Sequence, residues 1–234
     1  MSAELSMQLK RYFDVHQEDI SPLVQFDKSS DKLFDFNFTA TNTELDPSIL
    51  GDTEAFSEWV RLTLLKENCR YGIGGYDEHR TIYSRSELFD KVEEPRRLHL
   101  GVDIWGPEGT PIFAPLDGRV HSSRFNDNFG DYGATIVLKH EIEGLIFHTL
   151  YGHLNLASIK NLEKDTPITR GEKIAEFGKI LENGHWPPHL HFQLIFDMQG
   201  MEGDYPGVCR FSEKDAYLKN CPDPKILLQN TFKY

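Results

Sequence analysis

The sequence has no long uninterrupted apolar run. Its opening, MSAELSMQLKRYFDVHQEDI, is broken by charge throughout, so neither a secretory signal nor a membrane anchor is expected, and the chain as given reads as cytoplasmic. Cysteine is scarce as well. Cys69, Cys209 and Cys221 are irregularly spaced and form no C-x-x-C pair, which argues against a disulfide framework, a cysteine zinc site or dithiol exchange. Reduced thiols in a reducing compartment are expected. Positive charge is in deficit, with 25 Lys and Arg against 37 Asp and Glu and a formal net charge of -12. Such a surface repels a phosphate backbone, and no basic cluster interrupts it, so nucleic acid is not an expected partner, nor is a membrane. No repeat, coiled coil or low-complexity tract is present.

What the chain does have is enough length, 234 residues, to bury a core without covalent staples. Leu5, Leu9 and Phe13 fall at helical spacing, and Phe34, Phe36 and Phe38 alternate as in a half-buried strand. Asp52 is placed to cap a helix carrying Phe56, Trp59, Val60 and Leu64 on one stripe. From Gly72 onward, glycines, aromatics and short alternating runs replace that periodicity. The expected division is a mixed α/β extension over 1–71 and a β-rich region over 72–234. In the latter, Asp117-Gly118 is read as a hairpin turn, ATIVLKH and FHTLYGHL as strands, and a short helix is predicted near Ser212 to Leu218.

Two segments carry potential chemistry. Read as one strand, LHLGVDI (98–104) places Leu98, Leu100, Val102 and Ile104 on one face and His99, Gly101 and Asp103 on the other. In HLHFQLIF (189–196), Leu190, Phe192, Leu194 and Phe196 form an apolar back, and His189, His191 and Gln193 a polar front. Two such strands can converge their imidazoles in one groove. Two histidines and a carboxylate suit zinc, whose catalytic sites keep three protein ligands and one open position.

These residues also resemble a family. HLGVDIWGPEGTPIFAPLDGRV, LYGHL, GEKIAEFG and PHLHF follow the order and content of the lysostaphin/LytM-type zinc metallopeptidases, over roughly residues 96 to 196. The resemblance implies a mainly β fold, an antiparallel sheet folded over itself around an open groove. It implies one zinc per chain held by His99, Asp103 and His191, with His153 and His189 as catalytic histidines. The implied activity is hydrolysis of a peptide or amide bond by zinc-activated water, with a non-catalytic metal-binding or regulatory module as the alternative.

Departures from the family pattern bear on the substrate. The loop GKILENGHWPPHLHF is stiffer and more apolar before HLHF than the Gly/Ser/Thr-rich loop of secreted members. The flanks GGYDEHRTIYSRSELF and DYPGVCRFSEKDAYLKNCPDP resemble cytosolic versions of the domain fused to kinase-like and aminotransferase-like modules. Tyr132, Asn183 and His185 are candidate substrate contacts. Arg80, Arg96 and Arg97 are expected to be solvated or ion-paired, and His16, His79, His121, His140 and His148 to serve no metal.

Overall fold

The computed structural model describes residues 2–90 and 93–232. Helix α1 (Ser2–Val15) buries Leu9 and Phe13, and strand β1 (Leu33–Phe36) follows. Asp46 caps α2 (Pro47–Gly51), and Asp52 caps α3 (Thr53–Lys66) by accepting from the Glu54 and Ala55 amides at 2.8 and 3.1 Å. Phe56, Val60 and Leu64 form the buried stripe of α3. After β2 (Tyr71–Gly74), a 3-10 turn over Ile82–Arg85 leads into α4 (Glu87–Asp90). The next strands are β3 (Leu98–His99), β4 (Val102–Trp105), β5 (Pro111–Phe113), β6 (Gly118–Asn126), β7 (Gly133–Ile142) and β8 (Leu145–Leu154). They are followed by β9 (Pro167–Ile168), β10 (Lys173–Glu176), β11 (His189–Ile195), β12 (Val208–Cys209), α5 (Lys214–Asn220) and α6 (Lys225–Leu228).

The molecule is mainly β. Eight strands form one sheet in the order β1-β2-β4-β11-β8-β7-β6-β9, antiparallel except for the parallel β1–β2 pair. The expected division at 71/72 falls at β2, which pairs with both β1 and β4, so the sheet runs continuously across it. On one face, Val102, Ile104, Leu190, Phe192 and Leu194 pack with Leu9 and Phe13 near the N-terminus and with Leu227, Leu228 and Phe232 near the C-terminus. A second cluster joins Phe36, Phe38 and Phe56 to Trp105 and Trp186. Among the described residues, no helix is long and apolar enough to cross a membrane.

Two local expectations are corrected. LHLGVDI is not one strand. It breaks after His99: β3 pairs with β12, and β4 pairs with β2 and β11, so Leu98 and Leu100 enter a different core from Val102 and Ile104. Asp117-Gly118 does not turn a hairpin either. β5 pairs with β10 and β6 with β7 and β9, while the Asp117 carbonyl accepts from His140 and its carboxylate from the Arg170 amide. The tight hairpin lies between β7 and β8 at Glu143-Gly144, whose φ values of +49° and +79° suit a type I′ turn.

Candidate metal centre and active site

Register brings the site together. On β11, His191 lies opposite Asp103 of β4 and Gly152 of β8, and His189 lies opposite Trp105. Directly opposed residues of an antiparallel pair share a face, so the β11 and β4 side chains meet there. His99 reaches the same point from β3. Its Nε2 lies 3.2 Å from Asp103 Oδ1 and 3.0 Å from His191 Nδ1, and the latter lies 3.0 Å from Asp103 Oδ1. All three residues are buried, and they are the metal-competent cluster among the described residues.

The bonds on the outer side of each ring fix which nitrogen faces inward. A carbonyl oxygen only accepts, so His99 Nδ1–H must donate to Gly75 O at 2.8 Å, which leaves Nε2 as a lone pair. Gln193 spends its amide N–H groups on Pro206 O and Cys221 Sγ. Its Oε1 therefore accepts from His191 Nε2–H at 2.9 Å, which turns Nδ1 toward Asp103 and His99. Burial and the nearby Arg80 charge push the His99 pKa down to about 4, so this ring is neutral. Burial alone would raise the Asp103 carboxyl, but its contacts with His99 and with the buried Arg80 charge hold it well below the usual range. Two imidazole nitrogens and one carboxylate oxygen thus converge on one point. The arrangement calls for a cation, and two imidazole nitrogens with one carboxylate oxygen fit zinc.

Gly101 is required here. A Cβ at this position would lie 2.6 Å from His191 Cε1 and 2.8 Å from Phe192 O. The other Asp103 oxygen, Oδ2, is bonded by Arg80 Nη1. Arg80 is fully buried and also donates to Glu78 Oε2 at 2.6 Å and to the Tyr83 hydroxyl at 3.3 Å. The ion-paired reading of Arg80 therefore holds, with a metal-site carboxylate as its partner. Sequence reasoning did not anticipate that partner, because it comes from a contact 23 residues away in the chain.

His153 and His189 lie beside the cluster, their rings 4.0 Å apart between centroids. His153 Nδ1–H donates to Asn183 O and His189 Nδ1–H to Pro187 O, each at 2.7 Å, so both Nε2 atoms are lone-pair nitrogens. Burial lowers both pKa values: His153 well below its usual range, His189 to about 4. Trp105 stacks on His189 at 3.9 Å. His153 adopts a left-handed φ of +64°, held by bonds from its own amide to Tyr132 O and from the Gly178 amide to its carbonyl.

A pocket of about 300 Å³ opens over these groups and is lined by Tyr132. The Tyr132 hydroxyl donates to Tyr205 O at 3.1 Å and lies 3.5 Å from His191 Nε2. Asn183 and His185 are not among its lining residues. The Asn183 amide is turned inward to Gly178 O, Trp186 O and the Trp186 amide, which shapes the loop, and His185 packs against Phe129. His148 packs against His121, and His140 is bonded to Asp117 O and Thr149.

The family model for peptidase family M23 matches residues 97–202, the stretch that carries all five of these side chains. Lipoprotein NlpD of Yersinia enterocolitica is 32% identical over 94 residues, which are 40% of this chain and 86% of that protein. The chain belongs to peptidase family M23. The DD-carboxypeptidase/endopeptidase Mpg of Neisseria meningitidis serogroup B is similar to this M23 chain, at 31% identity over 131 residues, covering 54% of the chain and 28% of that protein. The chain spans between 18% and 29% of the length of the first several curated relatives. Among solved structures, the catalytic domain of the antimicrobial peptidase lysostaphin from Staphylococcus simulans matches with a TM-score of 0.42 and 22% identity. That match covers 74% of this chain and 97% of that one.

Proposed function

We propose that this M23 chain is a zinc-dependent hydrolase that cleaves a peptide or amide bond, with His99, Asp103 and His191 as ligands. The observation that carries this reading is the meeting of two imidazole nitrogens and a carboxylate oxygen within about 3 Å of one another, beside two neutral imidazoles. Zinc held there supplies the Lewis acidity that polarises a carbonyl and lowers the pKa of water. His153 and His189, anchored through Nδ1, offer Nε2 to take up the proton released as water attacks; once protonated, the same atom can donate to the developing oxyanion. The buried, aromatic surroundings of His189 exclude bulk water and strengthen these interactions.

A peptide substrate is supported by the endopeptidase relatives. A soluble, cytoplasmic peptide or amide is favoured by the net charge of -12, which repels anionic wall polymers, and by three free thiols. Metal analysis of protein purified without chelator tests the ligand set: one zinc per chain is expected, and Asp103→Ala or His191→Ala should abolish retention. His153→Ala and His189→Ala should keep the metal and lose about two or more orders of magnitude in turnover. Full zinc occupancy in the ligand variants, or metal loss in His189→Ala, would overturn the assignment.

A further inference from the structure

The floor and the walls of the pocket have different origins. Asp103, His153, His189 and His191 form its floor and lie within the family match, whereas Tyr83, Leu88 and Phe89 form one wall and precede it in the chain. Trp186, in the loop whose sequence departs from the family pattern, continues this wall 6.0 Å from Tyr83, and Tyr83 and Phe89 lie 4.9 Å apart. The reacting groups lie within the matched stretch, whereas this wall draws on Tyr83, Leu88 and Phe89 outside it and on Trp186 inside it.

That wall is fixed in place. Arg96 Nη2 donates to Leu88 O at 2.6 Å, Ser86 Oγ to Phe129 O at 2.7 Å, and Arg85 Nη2 to Thr53 Oγ1 at 2.6 Å. The Arg85 guanidinium also stacks 4.8 Å over the Trp186 ring, bracing it from behind. Leu88 and Met201 line the same pocket yet stay 39% and 38% exposed, so apolar surface beside the reacting groups is left for something else to cover. Because the floor carries the reacting groups, what covers that surface is the substrate itself. The volume of about 300 Å³ sits at the low end of small-molecule sites, roughly 300–1,000 Å³, and holds a residue or two but not a long strand. A glycine would leave the exposed Leu88 and Met201 surface uncovered and forfeit its burial.

Resting on the hydrolase reading above, we propose that the substrate is a short peptide or amide with a bulky apolar side chain beside the scissile bond, covering Leu88 and Met201 at the edge of the Tyr83, Phe89 and Trp186 wall. Zinc-binding hydroxamates test this without turnover. N-acetyl amino-acid hydroxamates place the side chain on the carbonyl side and malonyl amino-acid hydroxamates on the amine side; each series is titrated calorimetrically into zinc-loaded protein with glycine, leucine and phenylalanine. In at least one series the leucine and phenylalanine ligands should bind at least about tenfold tighter than glycine, the scale set by filling an apolar pocket. Leu88→Ala and Met201→Ala, both at the solvent edge and compatible with folding, should narrow that ratio several-fold. Equal affinities for glycine and phenylalanine in both series would overturn the proposal. Absence of binding by every hydroxamate would overturn the metal-centre reading and the proposal with it. The tenfold ranking without hydrolysis of the matching amides would uphold the pocket and refute only the catalytic reading.

Discussion

Arg80→Met probes how the centre is held. Arg80 is fully buried, bonded to Asp103 Oδ2 and to Glu78, and packed 5.2 Å over the Phe38 ring. Methionine fills much of the space but leaves the buried Asp103 carboxylate without its cation. Removing one partner of a buried pair costs about 3–5 kcal/mol, because the other charge remains in a poorly solvating site. Against a typical total of about 5–15 kcal/mol, that loss is visible as a shift in the urea midpoint of the metal-free protein. A double-mutant cycle with Asp103→Asn separates this effect from lost packing. If the pair is coupled as the geometry indicates, the double variant should be more stable than the sum of the single losses predicts by well over 1 kcal/mol. Arg80→Lys keeps a charge but not the fork that reaches Glu78 and Asp103 together, and should fall between wild type and Arg80→Met. Additivity within about 0.5 kcal/mol would refute the claim that Arg80 acts on Asp103.

Further tests address packing and protonation. Gly101→Ala should destabilise the protein by about 1–3 kcal/mol, the scale of overpacking, and should weaken zinc retention because the new methyl meets the His191 ring; unchanged metal content would sink this reading. His140 donates from Nδ1 to Asp117 O, its Nε2 lies 2.7 Å from Thr149 Oγ1, and burial takes its pKa from 6.5 to about 4. The folded pKa is the lower one, so the contribution is complete above pH 6.5 and is lost as pH falls toward 4. It amounts to about 3 kcal/mol at full size. Urea midpoints at pH 7.5, 5.5 and 4.5 should fall steadily in the wild type and less steeply in His140→Gln; parallel slopes would remove His140 as a cause.

The readable parts of the fold were those governed by local pattern. The stripe of α3 and its Asp52 cap follow from side-chain spacing and one carboxylate at the right place. The alternation of β11 follows from period two, and its back-face residues Leu190, Phe192 and Leu194 all enter one core. The errors arose where partner choice decides. Asp-Gly between two apolar runs satisfies hairpin chemistry, but β5 and β6 each find better partners elsewhere, and the turn residues serve His140 and Arg170 instead. The break after His99 has the same origin. The Leu100 amide bonds to Gly207 O, a residue more than a hundred positions away that no local window contains.

The site shows the same boundary between local and distant information. Side-chain identity in H-x-x-x-D and H-x-H is visible in sequence; protonation geometry is not, because each ring is oriented by a group outside those motifs. Gly75 O holds His99, Asn183 O holds His153, Pro187 O holds His189 and Gln193 holds His191. Three of these four acceptors are backbone carbonyls, which every residue type carries and which leave no signature in composition. Asn183 illustrates the limit: its identity suggested a substrate contact, whereas its side chain shapes the loop and its carbonyl fixes the His153 tautomer. Changing the side chain should therefore act on the chemistry only by moving that carbonyl. Asn183→Asp retains the acceptor for the Trp186 amide but loses the donors to Gly178 O and Trp186 O, so its effect should track displacement of His153 and not loss of a substrate hydrogen bond. In kinetics this separates cleanly. A drop confined to kcat marks the positioning role, and a rise confined to KM would restore Asn183 to the substrate's own contacts.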